Sequence, residues 1–230
     1  PKENNTFLTS YSGIYGALTD RGISKETAIK FGVKIINDHA DKIQKHVYPF
    51  YNGSEVVCTK TRVIDNKSFY SNGTYEGTGL FGEQMYRNTK GKYLTITEGE
   101  CDAMAVDELF QGKYAVAVKD IRESIEFVEA FDTVVLCFDN DKAGQEAAKN
   151  VARIVKPGKI RIMNLPNGYK DANDMLRQKK YSEFTKSWWE AKTYTPSGIM
   201  ELSSQKSDWL NRETKESIAY PWEGLNKKLY

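Results

Sequence analysis

The segment Thr133-Val134-Val135-Leu136-Cys137-Phe138 constrains this chain most. It is an unbroken β-branched and apolar run with no polar alternation. Such a run describes a strand buried on both faces, the habit of a parallel sheet with helices on either side. The neighbouring segments follow the same plan. Lys92–Thr97, Tyr114–Val118 and Ile160–Met163 read as strands. Between and after them, Glu100–Phe110, Ser124–Phe131, Lys142–Val155 and residues 172–179 carry apolar residues at helical spacing. Strands alternating with helices predict an α/β fold over residues 93–194.

The preceding part has a different texture. Ser24 can cap a helix over Lys25–Phe31, and Gly32 can stop it. The runs His46–Tyr51 and Glu55–Ile64 flank Asn52-Gly53, a hairpin signal. Residues 71–92, rich in Gly, Asn and Tyr, read as loop. A small α+β unit is thus expected over residues 1–92. After Tyr194 no strand pattern remains; Pro196-Ser197-Gly198 breaks the chain, and a helical stretch near Met200–Arg212 follows, so 195–230 reads as a linker.

Charge separates the two main parts. Residues 1–92 carry thirteen Lys and Arg against nine Asp and Glu, whereas residues 93–180 carry thirteen against fifteen. A basic part followed by an acidic one suits a phosphate-handling surface beside a metal site. The whole chain, with 33 basic and 31 acidic side chains, is neither a polybasic nucleic-acid coat nor an acidic tail. No run of about 18 apolar residues occurs, so no membrane span or membrane partner is expected. The first residues show no apolar signal segment. Cys58, Cys101 and Cys137 lie far apart without a CxxC pair, which excludes a four-cysteine zinc ribbon and fits reduced thiols in a cytoplasm. His39 and His46 read as surface residues.

Acids sit where the strands end. Thr95-Ile96-Thr97 runs into Glu98-Gly99-Glu100-Cys101-Asp102, and the buried strand runs into Asp139-Asn140-Asp141. Asp171, in Lys170-Asp171-Ala172-Asn173-Asp174, follows the strand at 160–163. Functional groups of open α/β sheets gather outside the carboxyl ends of the strands. Glu98, Asp139, Asp141 and Asp171 are therefore expected to converge. Clustered carboxylates repel unless a cation sits among them, and hard oxygen ligands suit Mg²⁺ or Mn²⁺. The plainer alternative is that Asp141 and Asp171 only cap the helices that follow them. Upstream, Lys60 and Arg62 alternate on one strand face, so both heads can reach one triphosphate.

These residues carry a resemblance. Thr95–Met104 is similar to the first Toprim motif, a strand followed by Glu-Gly, and Phe138-Asp139-Asn140-Asp141-Lys142-Ala143-Gly144 to the second, with its Asp-x-Asp. With Lys170–Asp174, with Tyr15–Thr27 as an opening helix and with Gly79-Leu80-Phe81-Gly82 as the turn into the sheet, residues 8–195 resemble the Toprim primase part of bacteriophage primase-helicases. The resemblance implies a Toprim α/β fold, a mostly parallel sheet with helices on both faces, behind a small basic α+β subdomain. It implies synthesis of RNA primers from ribonucleoside triphosphates on a single-stranded DNA template. Glu98 would be the catalytic acid/base or a ligand, and Asp139 and Asp141 would bind Mg²⁺ or Mn²⁺ with Asp102 and Asp171 close by. Lys60, Arg62 and Lys67 match the family's phosphate-contacting basic positions. Tyr70, Tyr75 and Phe81 suit base stacking or, more simply, packing where the subdomains join.

The chain also departs from the family. Cysteines for a template-reading zinc module are absent, and so is the GxxxxGK[ST] of a helicase. Residues 196–230 nonetheless resemble the linker into a hexameric helicase, with Ile199, Leu202 and Trp209 as contacts, so a helicase domain in a longer chain is an expected partner and a bacterial host cytoplasm the expected location. The family has a longer, glycine-containing loop where Lys119 here meets Asp120, which suggests loop residues missing at that point. Two other functions fit a Toprim fold: a catalytically silent module of a replicative helicase, and a nuclease. Retention of the acids weighs against the first, and the basic upstream part against the second.

Overall fold

The computed structural model describes residues 10–110, 114–118 and 120–196. One compact unit spans Pro1–Tyr194 and holds two sheets. Helix α1 (Lys25–Phe31) begins as expected: the Ser24 side chain accepts from the Thr27 amide, and Gly32 closes the helix in the left-handed conformation. Strands β1 (Lys34–Asn37), β2 (Ile43–Asn52), β3 (Glu55–Val63) and β4 (Phe69–Gly73) form an antiparallel sheet in that order. The hairpin turns at Asn52-Gly53, with Tyr48 opposite Lys60 and His46 opposite Arg62.

Strand β5 (Tyr93–Thr97) opens the second sheet and leads into α2 (Glu100–Leu109). Then follow β6 (Ala115–Ala117), α3 (Ile125–Glu129), β7 (Thr133–Cys137), α4 (Lys142–Ala152), β8 (Ile160–Ile162), α5 (Ala172–Arg177), α6 (Tyr181–Trp189) and β9 (Lys192–Thr193). The strand order is β6-β5-β7-β8-β9, parallel except for the last pair. The run in β7 is buried on both faces as its composition requires: Val134 and Leu136 join one core with α4, while Val135 and Cys137 join another with α2, α5 and α6. This is the expected α/β fold with helices on both faces. The second core continues into the antiparallel sheet through Phe31, Tyr48, Phe50 and Phe81, and Phe81 bridges to the edge strand β6 at Ala117.

Several sequence expectations are corrected. His46 is fully buried rather than at the surface, because both ring nitrogens find partners: the Tyr48 hydroxyl at 3.1 Å and Asp20 Oδ1 at 3.0 Å. Residues 71–73 belong to β4 and not to a loop, since Cys58 to Arg62 of β3 offer a free ladder edge. The stretch Tyr15–Thr27 is not one helix. Leu18 and Ile23 bridge across a tight turn, and the helix starts only at Lys25. Strands β1 and β9 and helix α6 had no expectation at all. Lys119 and residues 197–230, with the junction at Asp120, the helix near Met200–Arg212 and the contacts Ile199, Leu202 and Trp209, lie outside the described residues. Among the described residues no helix is long and apolar enough to cross a membrane.

Candidate active site

The carboxyl ends of β5 and β7 deliver their acids to one place. Two glycines permit it. A side chain on Gly99 would stand 2.7 Å from an Asp102 carboxylate oxygen, and one on Gly144 would stand 2.4 Å from the Asp139 carbonyl. At Gly144 the atoms met are backbone and cannot give way, so α4 packs against the Asp139 turn only because this position lacks Cβ, whereas at Gly99 a side chain would push the Asp102 carboxylate aside. Hydrogen bonds then stitch the third acidic segment on. The Asn140 amide donates to the Lys170 carbonyl at 2.7 Å. The Asn173 amide donates to Asp102 Oδ1 at 3.0 Å, and its side-chain nitrogen to the Arg21 carbonyl at 2.8 Å.

The result is a polar cavity of about 300 Å³ between the two sheets. Glu98, Glu100, Asp102, Asp139 and Asp171 line one side, and Lys60, Arg62, Arg21 and Lys170 face them. Lys60 donates to Glu100 Oε1 at 2.8 Å. The Lys170 ammonium lies 3.0 Å from Asp139 Oδ2 and 3.9 Å from Asp171 Oδ2. Of the sequence-predicted residues, Glu98, Asp102, Asp139, Asp171, Lys60 and Arg62 come together here. Asp141 does not line the cavity. Its Oδ1 accepts from the Gly144 amide at 2.8 Å and so caps α4, the plainer role foreseen for it. Asp171 likewise caps α5 through the Asp174 amide while still facing the cavity. Lys67 stands in the β3–β4 turn at positive φ, exposed and outside the cavity lining. Phe81 is core, stacked on Phe31 at 5.4 Å, and Tyr75 packs edge-on against Phe50 at 5.0 Å. Tyr70 is half-exposed on β4 beside Lys45.

The electrostatics record crowding. Partial burial raises the Glu98 carboxyl above its ordinary range, and the charges of Asp139 and Asp141 add to the rise. Asp102 is raised further, first by burial and then by Asp171 and Asp139, against the pull of the Asn173 amide. Lys170 is raised through its bond to Asp139. Carboxylates that repel one another this way are hard oxygen donors whose charge a divalent cation would relieve, so the donor set suits Mg²⁺ or Mn²⁺. Among the described residues, no three His, Cys, Asp or Glu side chains stand at the spacing of a finished metal site. The positive charge within reach of Asp139 and Asp171 comes from Lys170.

Arg21, Glu100, Lys170, Asn173 and Phe69 line this cavity although no role was read for them in the sequence. For Lys170 and Asn173 a signal existed, since both belong to the Lys-Asp-Ala-Asn-Asp segment that carries Asp171. From the cavity wall a hydrogen-bonded chain runs outward: Cys101 Sγ at the start of α2 is 3.1 Å from the Tyr48 hydroxyl, which meets buried His46, which in turn meets Asp20 at the surface. Burial works against ionisation of Asp20, but the hydrogen bond and charge of His46 together with Arg21 and a backbone amide outweigh it and hold that carboxyl below its ordinary value. All three cysteines are buried thiols outside any disulfide, and burial pushes the Cys101 thiol up to about 12, as expected of inert thiols.

Known proteins resemble this chain in sequence and fold. Residues 95–176 match the Toprim-like family model. The chain is 33% identical over 204 residues to the DNA helicase/primase of Enterobacteria phage T3, covering 85% of this chain and 35% of that protein. It is 27% identical over 181 residues to the DNA primase of Pasteurella multocida, 72% of this chain and 31% of that one. The chain thus spans about a third of the length of the curated relatives it matches. The crystal structure of the primase fragment of the bacteriophage T7 primase-helicase superposes with a TM-score of 0.69 at 29% identity, covering 81% of this chain and 82% of that fragment. A T7 lagging-strand polymerase structure, in which primase domains are bound to an RNA/DNA hybrid and dTTP, gives 0.69 at 31% identity over 79% and 94%. With the Glu-Gly and Asp-x-Asp motifs at the ends of β5 and β7 and the basic sheet facing them, the chain belongs to the Toprim-type DNA primases, as the primase part of the bacteriophage primase-helicase kind.

Proposed function

We propose that this chain synthesises short RNA primers on single-stranded DNA by divalent-metal-dependent ribonucleotidyl transfer, as one component of DNA replication. The observation that carries the reading is the cavity in which four Toprim acids face Lys60 and Arg62. In this reading residues 1–92 are the basic subdomain, 93–194 the catalytic one and 195–230 the link to a helicase domain. The full-length assembly would be hexameric and would work in the cytoplasm of a bacterial host.

Glu98, Asp102, Asp139 and Asp171 would hold Mg²⁺ or Mn²⁺ in the cavity, and Asp141, capping α4 close enough to act on Glu98, would add its charge from outside the lining. Bound there, the metal would neutralise charge at the attacked α-phosphate and on the leaving pyrophosphate. The protein residues do the rest. Lys60 and Arg62 orient the incoming triphosphate with charge-assisted contacts. Glu98, its carboxyl raised first by partial burial and then by the charge of Asp139, would as the carboxylate accept the proton of the attacking 3′-hydroxyl. Lys67, further out on the turn, would meet the template or nucleotide at the rim. The template crosses between the sheets and is held by its backbone charge.

Lys60→Ala and Arg62→Ala should each raise the apparent KM for ribonucleotides roughly 10- to 150-fold, since a charge-assisted hydrogen bond contributes about 1.5–3 kcal/mol. Unchanged nucleotide affinity in both variants would reduce this strand to a solvated face. The function itself is tested with a single-stranded template, four ribonucleotides and Mg²⁺. Without cysteines for a zinc module, the 230-residue chain should start primers poorly but extend a supplied dinucleotide. Efficient sequence-specific initiation, or failure to extend, would contradict the reading.

A further inference from the structure

One side chain of the cavity does not fit its polar lining. Phe69, on the edge strand β4, is 51% exposed and yet lines the cavity with five acids and four cations. It stands directly opposite Arg62 in the β3–β4 ladder, so the two side chains share a face, and Lys60 is two residues along on that same face. The Lys60 ammonium lies 4.8 Å from the ring centroid and the Arg62 guanidinium carbon 5.6 Å. Tyr70, one residue on, points to the opposite face, because it pairs with Thr61.

We propose that Phe69 is the platform on which the base of the bound nucleotide stacks. The inference rests on the nucleotide reading of the cavity and gives it a direction. Glu98 follows β5 and Glu100 opens α2 at the acidic side, Lys60 bonds to Glu100, and the Phe69 ring lies 4.8 Å from the Lys60 ammonium. A nucleoside triphosphate would therefore lie with its phosphates toward the acids, across Lys60 and Arg62. Its base would lie flat on Phe69 at the open edge of the first sheet. Stacking reads a π-face that every base has, so the platform should accept all four ribonucleotides alike.

The test compares two probes on the 230-residue chain by titration calorimetry in Mg²⁺ buffer: ATP, which has a base, and inorganic tripolyphosphate, which has none. Phe69→Ala should weaken ATP roughly 5- to 150-fold, the loss expected of one base–aromatic stack. It should leave tripolyphosphate binding within a factor of two, and Phe69→Trp should restore ATP. The tripolyphosphate value serves as the folding control. Equal ATP affinity in wild type and Phe69→Ala, with both probes bound, would overturn the platform and leave the phosphate cradle standing. Equal losses for both probes would assign Phe69 to holding the cations, and also overturn it. If wild type binds neither probe, the nucleotide reading fails and the platform with it.

Discussion

The double substitution Asp139→Asn, Asp141→Asn is expected to lower primer extension by this chain about 1,000-fold or more, which corresponds to roughly 4 kcal/mol of transition-state stabilisation. That magnitude is ordinary for removal of charge that a catalytic metal requires. The pair is informative because its structural cost is small. Asn is as good a helix N-cap as Asp, so position 141 can keep accepting from the Gly144 amide and α4 keeps its start. At position 139 the change removes an ion pair with Lys170, whose side chain is 67% exposed, and such a pair contributes less than about 1 kcal/mol. Removing both carboxylates also relieves Glu98, whose carboxyl they raise. The variant should melt within a few degrees of wild type and remain a folded, inactive protein. Undiminished synthesis would remove these acids from the chemistry.

The largest expected loss of stability is at Trp188. It is 1% exposed, donates its indole N–H to Thr95 Oγ1 at 2.9 Å, and meets Tyr93 and Phe110 at centroid distances of 5.1 and 4.8 Å. Trp188→Ala leaves a cavity between α6 and β5 and strands the Thr95 hydroxyl, at a cost of about 3–5 kcal/mol. Domains of this kind are stable by only about 5–15 kcal/mol in total. At roughly 2–4 °C per kcal/mol for this size, Tm should fall by about 6–20 °C in a thermal melt followed by circular dichroism. Trp189, next in sequence but half-exposed, is the control, and its replacement by Ala should cost far less. Equal effects at the two tryptophans would show that α6 does not pack as described.

Trp188 also marks a limit of what the residues reveal in advance. The parallel sheet was legible because β7 lacks any polar alternation, and the acids were legible because they follow strand ends directly. Helix caps at Ser24, Asp141 and Asp171 were legible for the same local reason: a side-chain oxygen meets an amide three residues on. Helix α6 was not. Its buried residues, Phe184 and Trp188, are a single pair four apart within a polar surround, and only the opposite wall at Tyr93 and Phe110 makes them core. His46 reads as a surface residue until Asp20, twenty-six positions earlier, is brought beside it by the first turn. Arg21 and Phe69 reach the cavity through the meeting of the two parts of the fold, a juxtaposition that no local pattern encodes. The aromatics nearest the basic strand were noticed, yet the ring that shares the face of Lys60 and Arg62 is Phe69. Only the β3–β4 register assigns it there.

The central claim is that the acids at the ends of β5 and β7 form a divalent-metal site for nucleotide chemistry. Electron paramagnetic resonance of Mn²⁺ titrated into the chain tests it most directly, because free Mn²⁺ gives a sharp signal that is lost on binding. With no nucleotide in the buffer, since ATP itself chelates Mn²⁺, wild type should take up Mn²⁺, while the Asp139→Asn, Asp141→Asn variant should leave the free-ion signal undiminished under the same conditions. Equal uptake of Mn²⁺ by the two proteins would contradict the account.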